Sequence, residues 1–190
     1  KAGIVLLDAT ERSLPIHVLP ERCLNGDGFM VSEEGYQWVD ITSVRSRSGV
    51  SGQLALSEEG ILSGKVQLSN DGYFGQERRL KYARHGEDKY VEDLSKEHGW
   101  VVSSKAVENI EKVQEAVKEL YDVEFHQTAQ KSGDRIYLNP VVVERVERNP
   151  FTLETRKYPV DFASPREWIV KMRISVTPCL EIEELPQPRA

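Results

Sequence analysis

"GQLALSEEGILSGKVQLS" (residues 52–69) is the stretch that commits this chain to a fold. Leu54 and Leu56 occupy alternate positions before a Gly-containing turn. Leu62, Val66 and Leu68 continue the apolar pattern after it. A period of two around such a turn is the signature of a β-hairpin with one buried face. Everything on either side is read against that hairpin.

Downstream the pattern changes. "YFGQERRLKYARHGEDKYVEDLSKEHG" (73–99) reads as two helices broken at Gly86, the second starting at Asp88 and stopped by Gly99 as its C-cap. Tyr90, Val91 and Leu94 make the apolar face of the second helix. After Trp100 strands return. "AVKELYDVEFHQ" (116–127) alternates through Val117, Tyr121, Val123 and Phe125, and "DRIYLNPVV" (134–142) is a short strand stopped by Pro140. "REWIVKMRISV" (166–176) puts Trp168, Val170, Met172, Ile174 and Val176 on one face and Lys171, Arg173 and Ser175 on the other. "CLEIEELP" (179–186) is a candidate last edge strand.

Upstream, "RCLNGDGF" (22–29) is rich in turn dipeptides. "FMVSEEGYQWVDI" (29–41) is a second hairpin, with strands at Phe29–Ser32 and Tyr36–Ile41. "TSVRSRSGVSG" (42–52) is small and polar and reads as a linker. The opening "KAGIVLLDATERSLP" (1–15) places an apolar strand at Ile4–Leu7, expected to run antiparallel to one strand of the 29–41 hairpin, with Asp8 at its rim. Long alternating strands with one wet face mean antiparallel sheets. The expected class is therefore mainly β with α (α+β), an antiparallel β-sandwich-like domain with two helices.

With 190 residues, 39% hydrophobic and 29% charged, the composition is that of a globular chain of one domain, or one domain plus a fragment of another. A net charge of -6 offers no general attraction for nucleic acid or an anionic membrane. No apolar run approaches the roughly 20 residues of a membrane span. A start at Lys1 rather than methionine points to a cleaved or excised piece. The histidines His17, His85, His98 and His126 share no metal-ligand spacing with one another or with a cysteine, so no metal or other cofactor is expected.

Several groups have both a functional and a plain reading. Arg78, Arg79, Lys81, Arg84 and His85 could form a phosphate-binding stripe, but such a run is more often the solvated face of a helix. Cys23 stands beside Arg22, which would lower a thiol pKa, yet buried structural cysteine is the commoner case. Cys23 and Cys179 could pair, and sequence does not show whether they do. "RNPFTLETRKYPVDF" (148–162) sets Phe151, Arg156 and Tyr158 between Pro150 and Pro159, with Phe162 just after. It reads either as an aromatic binding loop or as a loop crossing the sheet edge, with Phe151 and Phe162 plugging the core.

"LLDAT" (6–10) followed by "LPERCLNG" (19–26) resembles the end of a transglutaminase-like cysteine peptidase core. "GDRIYLNP" (133–140), "NPFTLETRKYPVDF" (149–162) and the closing "EELP" (183–186) resemble the β-rich domain of unknown function that follows that core in large proteins of Bacteroidetes. The resemblance implies that residues 1–42 are terminal strands of the core and 43–190 a β-rich accessory domain. It implies that Asp8 is the third member of a Cys-His-Asp triad whose Cys and His lie upstream of Lys1. In such a triad the carboxylate holds the imidazole in one tautomer. Without those partners, Asp8 is expected to make an Asx-turn with the Thr10 amide. The resemblance further implies a periplasmic or secreted location, the upstream domains of a parent protein as partners, and a chain that is not an enzyme on its own.

Three functions compete on the sequence. The first is a non-catalytic C-terminal accessory module that positions the core or its polymer substrate. The second is an independent protein- or glycan-binding module using Phe151, Arg156, Tyr158 and Phe162. The third is an acid-base hydrolase using paired carboxylates such as Glu154 and Asp161. Chance pairs are common among 31 acidic residues, which weakens the third.

Overall fold

A computed structural model describes residues 5–146, 148–149, 151–152 and 154–187. Its centre is a five-stranded sheet of order β5-β6-β4-β3-β9. The strands are β3 (Ser46–Leu56), β4 (Leu62–Asn70), β5 (Trp100–Glu108), β6 (Val117–Phe125) and β9 (Arg166–Val176). Two helices, α1 (Gly72–His85) and α2 (Glu87–His98), lie between β4 and β5 in the chain. Two small hairpins complete the set: β1 (Asp27–Ser32) with β2 (Gly35–Asp40), and β7 (Ala129–Ser132) with β8 (Arg135–Leu138). The protein is mainly β with two helices, the expected α+β class.

The 52–69 hairpin forms as read. β3 and β4 pair antiparallel, with Val50 opposite Leu68 and Leu56 opposite Leu62, and these four side chains are buried. Gly64 sits opposite Leu54 at a φ of +148°, and a Cβ there would collide with the Gln53 carbonyl oxygen. Val117, Tyr121, Val123 and Phe125 of β6 join Val50, Leu54, Leu56, Leu62, Val66 and Leu68 in one core. Tyr90, Val91 and Leu94 of α2 close over it. Gly99 ends α2 in the left-handed conformation (φ 66°), its N–H donating to the Ser95 carbonyl. α2 begins at Glu87, one residue before the expected Asp88.

Four expectations are corrected. Residues 42–52 are not a linker throughout: β3 starts at Ser46 and is central in the sheet. Ser46 is small because α1 begins directly above it, and Gly52 because Met172 of β9 packs against it. The Ser46 hydroxyl accepts the Tyr73 N–H at 2.9 Å, and Asp71, which precedes the helix, accepts the Arg47 N–H at 2.6 Å. A larger side chain at 46 would push the helix start off the sheet. The sheet is mixed rather than purely antiparallel, because β9 pairs parallel to β3, Ser46 with Arg166 through Leu56 with Val176. That register puts Trp168, Val170, Met172, Ile174 and Val176 on the same side as the buried residues of β3, as expected. However, β9 is an edge strand at the rim of the helix cover. Met172 and Ile174 are half-buried, while Trp168, Val170 and Val176 are exposed.

Residues 177–187 form no strand, so "CLEIEELP" is not an edge strand. At the other end Val5, Leu6 and Leu7 are not in a strand either, and the β1–β2 sheet has only its own two members. The first residue of that expected strand, Ile4, lies outside the described residues, as do Lys1 and Pro150.

A second, smaller core ties the N-terminal stretch to the sheet body. Leu14 and Val18 pack on Tyr73 at the start of α1, with Leu24 and Val44 beside them. The Tyr73 hydroxyl donates to the Leu19 carbonyl at 2.5 Å, and burial pushes that phenol up to about 12. Arg166 at the start of β9 reaches Glu21 at 2.7 Å. No helix of the described residues is long and apolar enough to cross a membrane.

Candidate functional site

Asp8 stands in the turn that leads into the docked segment 13–24. Its Oδ1 accepts the Thr10 N–H at 2.8 Å, the expected Asx-turn, and the Thr10 hydroxyl at 2.5 Å. Its Oδ2 accepts from Arg22 Nη2 at 2.8 Å, and the Cys23 thiol lies 3.7 Å away. The Thr10 hydrogen bonds, then the Arg22 charge, hold the carboxyl below its usual range. The group is ionised, half-buried and held in one orientation. Cys23 is a free thiol that faces this carboxylate, and no imidazole pairs with it among the described residues. Cys179 is also free. It is exposed and donates to Glu58, which raises its pKa, the opposite of what a thiolate nucleophile needs.

The aromatic loop is outside the core. Phe151, Tyr158 and Phe162 are all exposed, so Phe151 and Phe162 do not plug the sheet edge. What enters the core from the same connection is Val142 and Val143, just after Pro140. Arg156 lies over the Phe151 ring at 4.5 Å, a cation–π pair. Tyr158 and Phe162 make no ring contact among the described residues. Asp161 accepts the Ala163 N–H at 2.7 Å in a local turn, and Glu154 is exposed. The structure does not turn that carboxylate pair into an acid-base site.

The basic stripe of α1 is divided by the fold. Arg78 and Arg79 are buried, not solvated. Arg79 donates to the carbonyls of Ile110, Lys112 and Glu115, at 3.1, 3.0 and 2.6 Å, and so clamps the β5–β6 connection. Arg78 donates to Glu144 at 2.6 Å and lies 3.9 Å from Glu119, a carboxylate with no exposed surface. Glu119 also accepts from the hydroxyls of Tyr90 and Tyr121, and burial next to this charge pushes both phenols strongly upward. The sequence reading passed over Glu119. The signal was present as the one charged residue in the buried alternation Val117, Glu119, Tyr121, Val123, Phe125. A buried carboxylate with one cation and two phenols is a staple joining α1, α2, the sheet and the 139–146 loop. Among the described residues, no three or more His, Cys, Asp or Glu side chains come together as a metal-binding group.

The remaining feature is the β1–β2 hairpin. Phe29, Val31, Tyr36 and Trp38 are exposed, and Phe29 contacts the rings of Tyr36 and Trp38 with centroids 5.3 and 5.1 Å apart. Beside it a cavity of about 370 Å³ is lined by Leu6, His17 and Leu19 on one side and by Trp38 and Asp40 on the other. The sequence showed the hairpin but not its exposure, because an apolar pattern does not say whether that face is covered.

No family model matches the sequence, and no curated protein or solved structure shows significant similarity to it.

Proposed function

We propose that this chain is a non-catalytic accessory module of a transglutaminase-like cysteine peptidase or amidase, and that it presents Asp8 to a Cys–His pair carried elsewhere in the parent protein. The observation that carries the reading is the fixed, ionised Asp8 carboxylate on a docked segment, with its thiol neighbour paired to it rather than to a histidine. A third triad member must be charged and immobile so that it selects one imidazole tautomer. Thr10 and Arg22 give Asp8 both properties. The "LLDAT" and "LPERCLNG" motifs that suggest the family contain these same residues.

The test has two arms. The 190-residue chain is expected to show no thiol-dependent hydrolysis of peptide amides. In a parent protein that includes the upstream sequence, Asp8→Asn is expected to lower kcat about 10²–10⁴-fold with KM retained, as for other triads deprived of their carboxylate. Alkylator-sensitive turnover by the chain alone, lost in Cys23→Ser, overturns the reading. So does an Asp8→Asn parent of unchanged kcat.

A second reading, a free-standing protein- or glycan-binding module, is favoured by one observation: Phe151, Arg156, Tyr158 and Phe162 are all exposed on one connection. Binding of oligosaccharide or peptide that is lost in Phe151→Ala and Tyr158→Ala, with the triad arm negative, would replace the first reading with this one.

A further inference from the structure

The β1–β2 ribbon has one unpartnered face. Its register sets Asp27 opposite Asp40, Phe29 opposite Trp38 and Val31 opposite Tyr36. Directly opposed residues project to the same side, and alternate positions share it. Six side chains therefore form one strip: three rings and a valine in the middle, with a carboxylate pair at the open end. The other side, with Gly28, Met30 and Val39, is half-buried, and Gly28 lies against the Ile41 side chain. The strip is thus the outward face of the ribbon, and Phe29 already contacts the Tyr36 ring at a tilt and the Trp38 ring edge-on.

Its charge is one-sided. Residues 27–40 hold Asp27, Glu33, Glu34 and Asp40 and no lysine or arginine. None of the four is in an ion pair among the described residues. Asp27 and Asp40 are like charges directly opposed across the ladder, an arrangement that destabilises a hairpin unless a cation lies between or above them. Both ends of the aromatic strip are anionic, and the rings themselves offer negative faces. Trp38 and Asp40 also line the 370 Å³ cavity, so one end of the strip adjoins a recess beside Leu6, His17 and Leu19.

We propose that this face binds an extended basic peptide segment, with Lys or Arg side chains lying on Tyr36 and Trp38 and their charges met by Asp27 and Asp40. Cation–π contact uses the ring faces, and the opposed carboxylates supply the counter-charge that nothing in the hairpin supplies. A second copy of the same face would bring eight carboxylates together. A nucleic acid or an anionic membrane would be repelled for the same reason. A neutral glycan would stack on the rings but would leave the carboxylate pair uncompensated. The inference stands apart from the accessory-module reading, since it concerns binding by this chain alone.

The experiment is calorimetric titration of the whole chain with three probes: a capped decapeptide alternating Lys and Val, its Glu–Val counterpart, and cellohexaose. The Lys peptide is expected to bind in the micromolar to millimolar range, more weakly as salt rises, and the Glu peptide not to bind. Asp27→Asn with Asp40→Asn should weaken the Lys peptide about tenfold or more and flatten its salt dependence, and Trp38→Ala should weaken it by about five- to thirtyfold. The double Asn variant is nearly isosteric, so it remains informative if Trp38→Ala disturbs the hairpin. Circular dichroism on each variant establishes that the fold is kept. No binding of the Lys peptide at about 1 mM, equal binding of the two peptides, binding of cellohexaose alone, or full affinity in the double Asn variant each overturns the proposal. None of these outcomes bears on the amide-hydrolysis test.

Discussion

The central sheet and the β1–β2 ribbon use the same aromatic residues to opposite effect. Trp100, Tyr121 and Phe125 are 3%, 0% and 0% exposed, whereas Trp38, Tyr36 and Phe29 are 68%, 75% and 53% exposed. Both triplets are in tilted or edge-on ring contact: Trp100 contacts Tyr121 and Phe125 at 5.6 and 5.7 Å, much as Phe29 contacts Tyr36 and Trp38. Both lie on antiparallel ladders. The difference is what lies above them. Tyr90, Val91 and Leu94 of α2 cover the first triplet, and no described element covers the second. Alternation decides which side of a strand is apolar, and only a partner layer decides whether that side is a core or a surface. That exposed aromatic strip is what the basic-peptide proposal rests on.

The widest test of the comparison is to truncate the matched rings. Phe125→Ala is expected to cost about 3–5 kcal/mol in urea unfolding, because it removes a wholly buried ring from a packed core. Phe29→Ala should stay within about 0.5 kcal/mol. Equal losses would mean that the ribbon is buried in solution and that the comparison is false. Of similar size is Arg78→Ala, which leaves Glu119 buried without its cation, at about 3–5 kcal/mol. Lys81→Ala, three residues on and in a surface ion pair with Glu77, should cost no more than about 0.5 kcal/mol.

Smaller effects sharpen the boundary between the two regimes. Ile174 is only half-buried on the edge strand, so Ile174→Ala should cost roughly 1–2 kcal/mol, below the range for a fully buried aliphatic. A loss above about 4 kcal/mol in the denaturant midpoint would place β9 inside the core. His98 packs its ring on Trp100 at 4.7 Å, and burial pushes its imidazole below the usual 6.5. Glu144, Glu97, Arg78 and Lys81 face it, the acidic pair opposing the shift and the basic pair adding to it. The unfolded chain therefore takes up a proton at His98 before the folded chain does. The stability this residue contributes is complete above pH 6.5 and is lost as pH falls from there through the lower folded value. His98→Asn should remove that part of the acid sensitivity in thermal melts from pH 7 to pH 5, and an unchanged slope would refute it.

The smallest effect belongs to Asp8. Asp8 is half-buried but its hydrogen bonds to Thr10 and Arg22 are exposed, so Asp8→Asn should leave the unfolding midpoint at pH 7 where it is. The carboxyl is held below 3.8, so whatever the network contributes persists above that pH and fades only as pH falls through the depressed folded value. A large shift at pH 7 would make Asp8 a structural residue and undercut its proposed role.

What the sequence alone determined was local. It placed the 52–69 hairpin, the 29–41 hairpin, the two helices with their break at Gly86 and stop at Gly99, the apolar side of β6 and β9, and the Asx-turn at Asp8. Each of these depends on neighbours within a few positions, through side-chain period, turn residues and capping. Tertiary structure decided the rest. It made "SRSGVSG" a central strand, with Ser46 small where α1 begins and Gly52 small where Met172 of β9 packs against it. It returned β9 parallel to β3 across a long connection. It took Arg78 and Arg79 inside, where Glu119 and the backbone carbonyls of the β5–β6 connection receive them, and it left Phe151, Phe162 and the rings of the β1–β2 ribbon outside. Burial is a property of what packs from elsewhere in the chain, and the residues that do so here lie tens of positions away in sequence, where no local pattern records them.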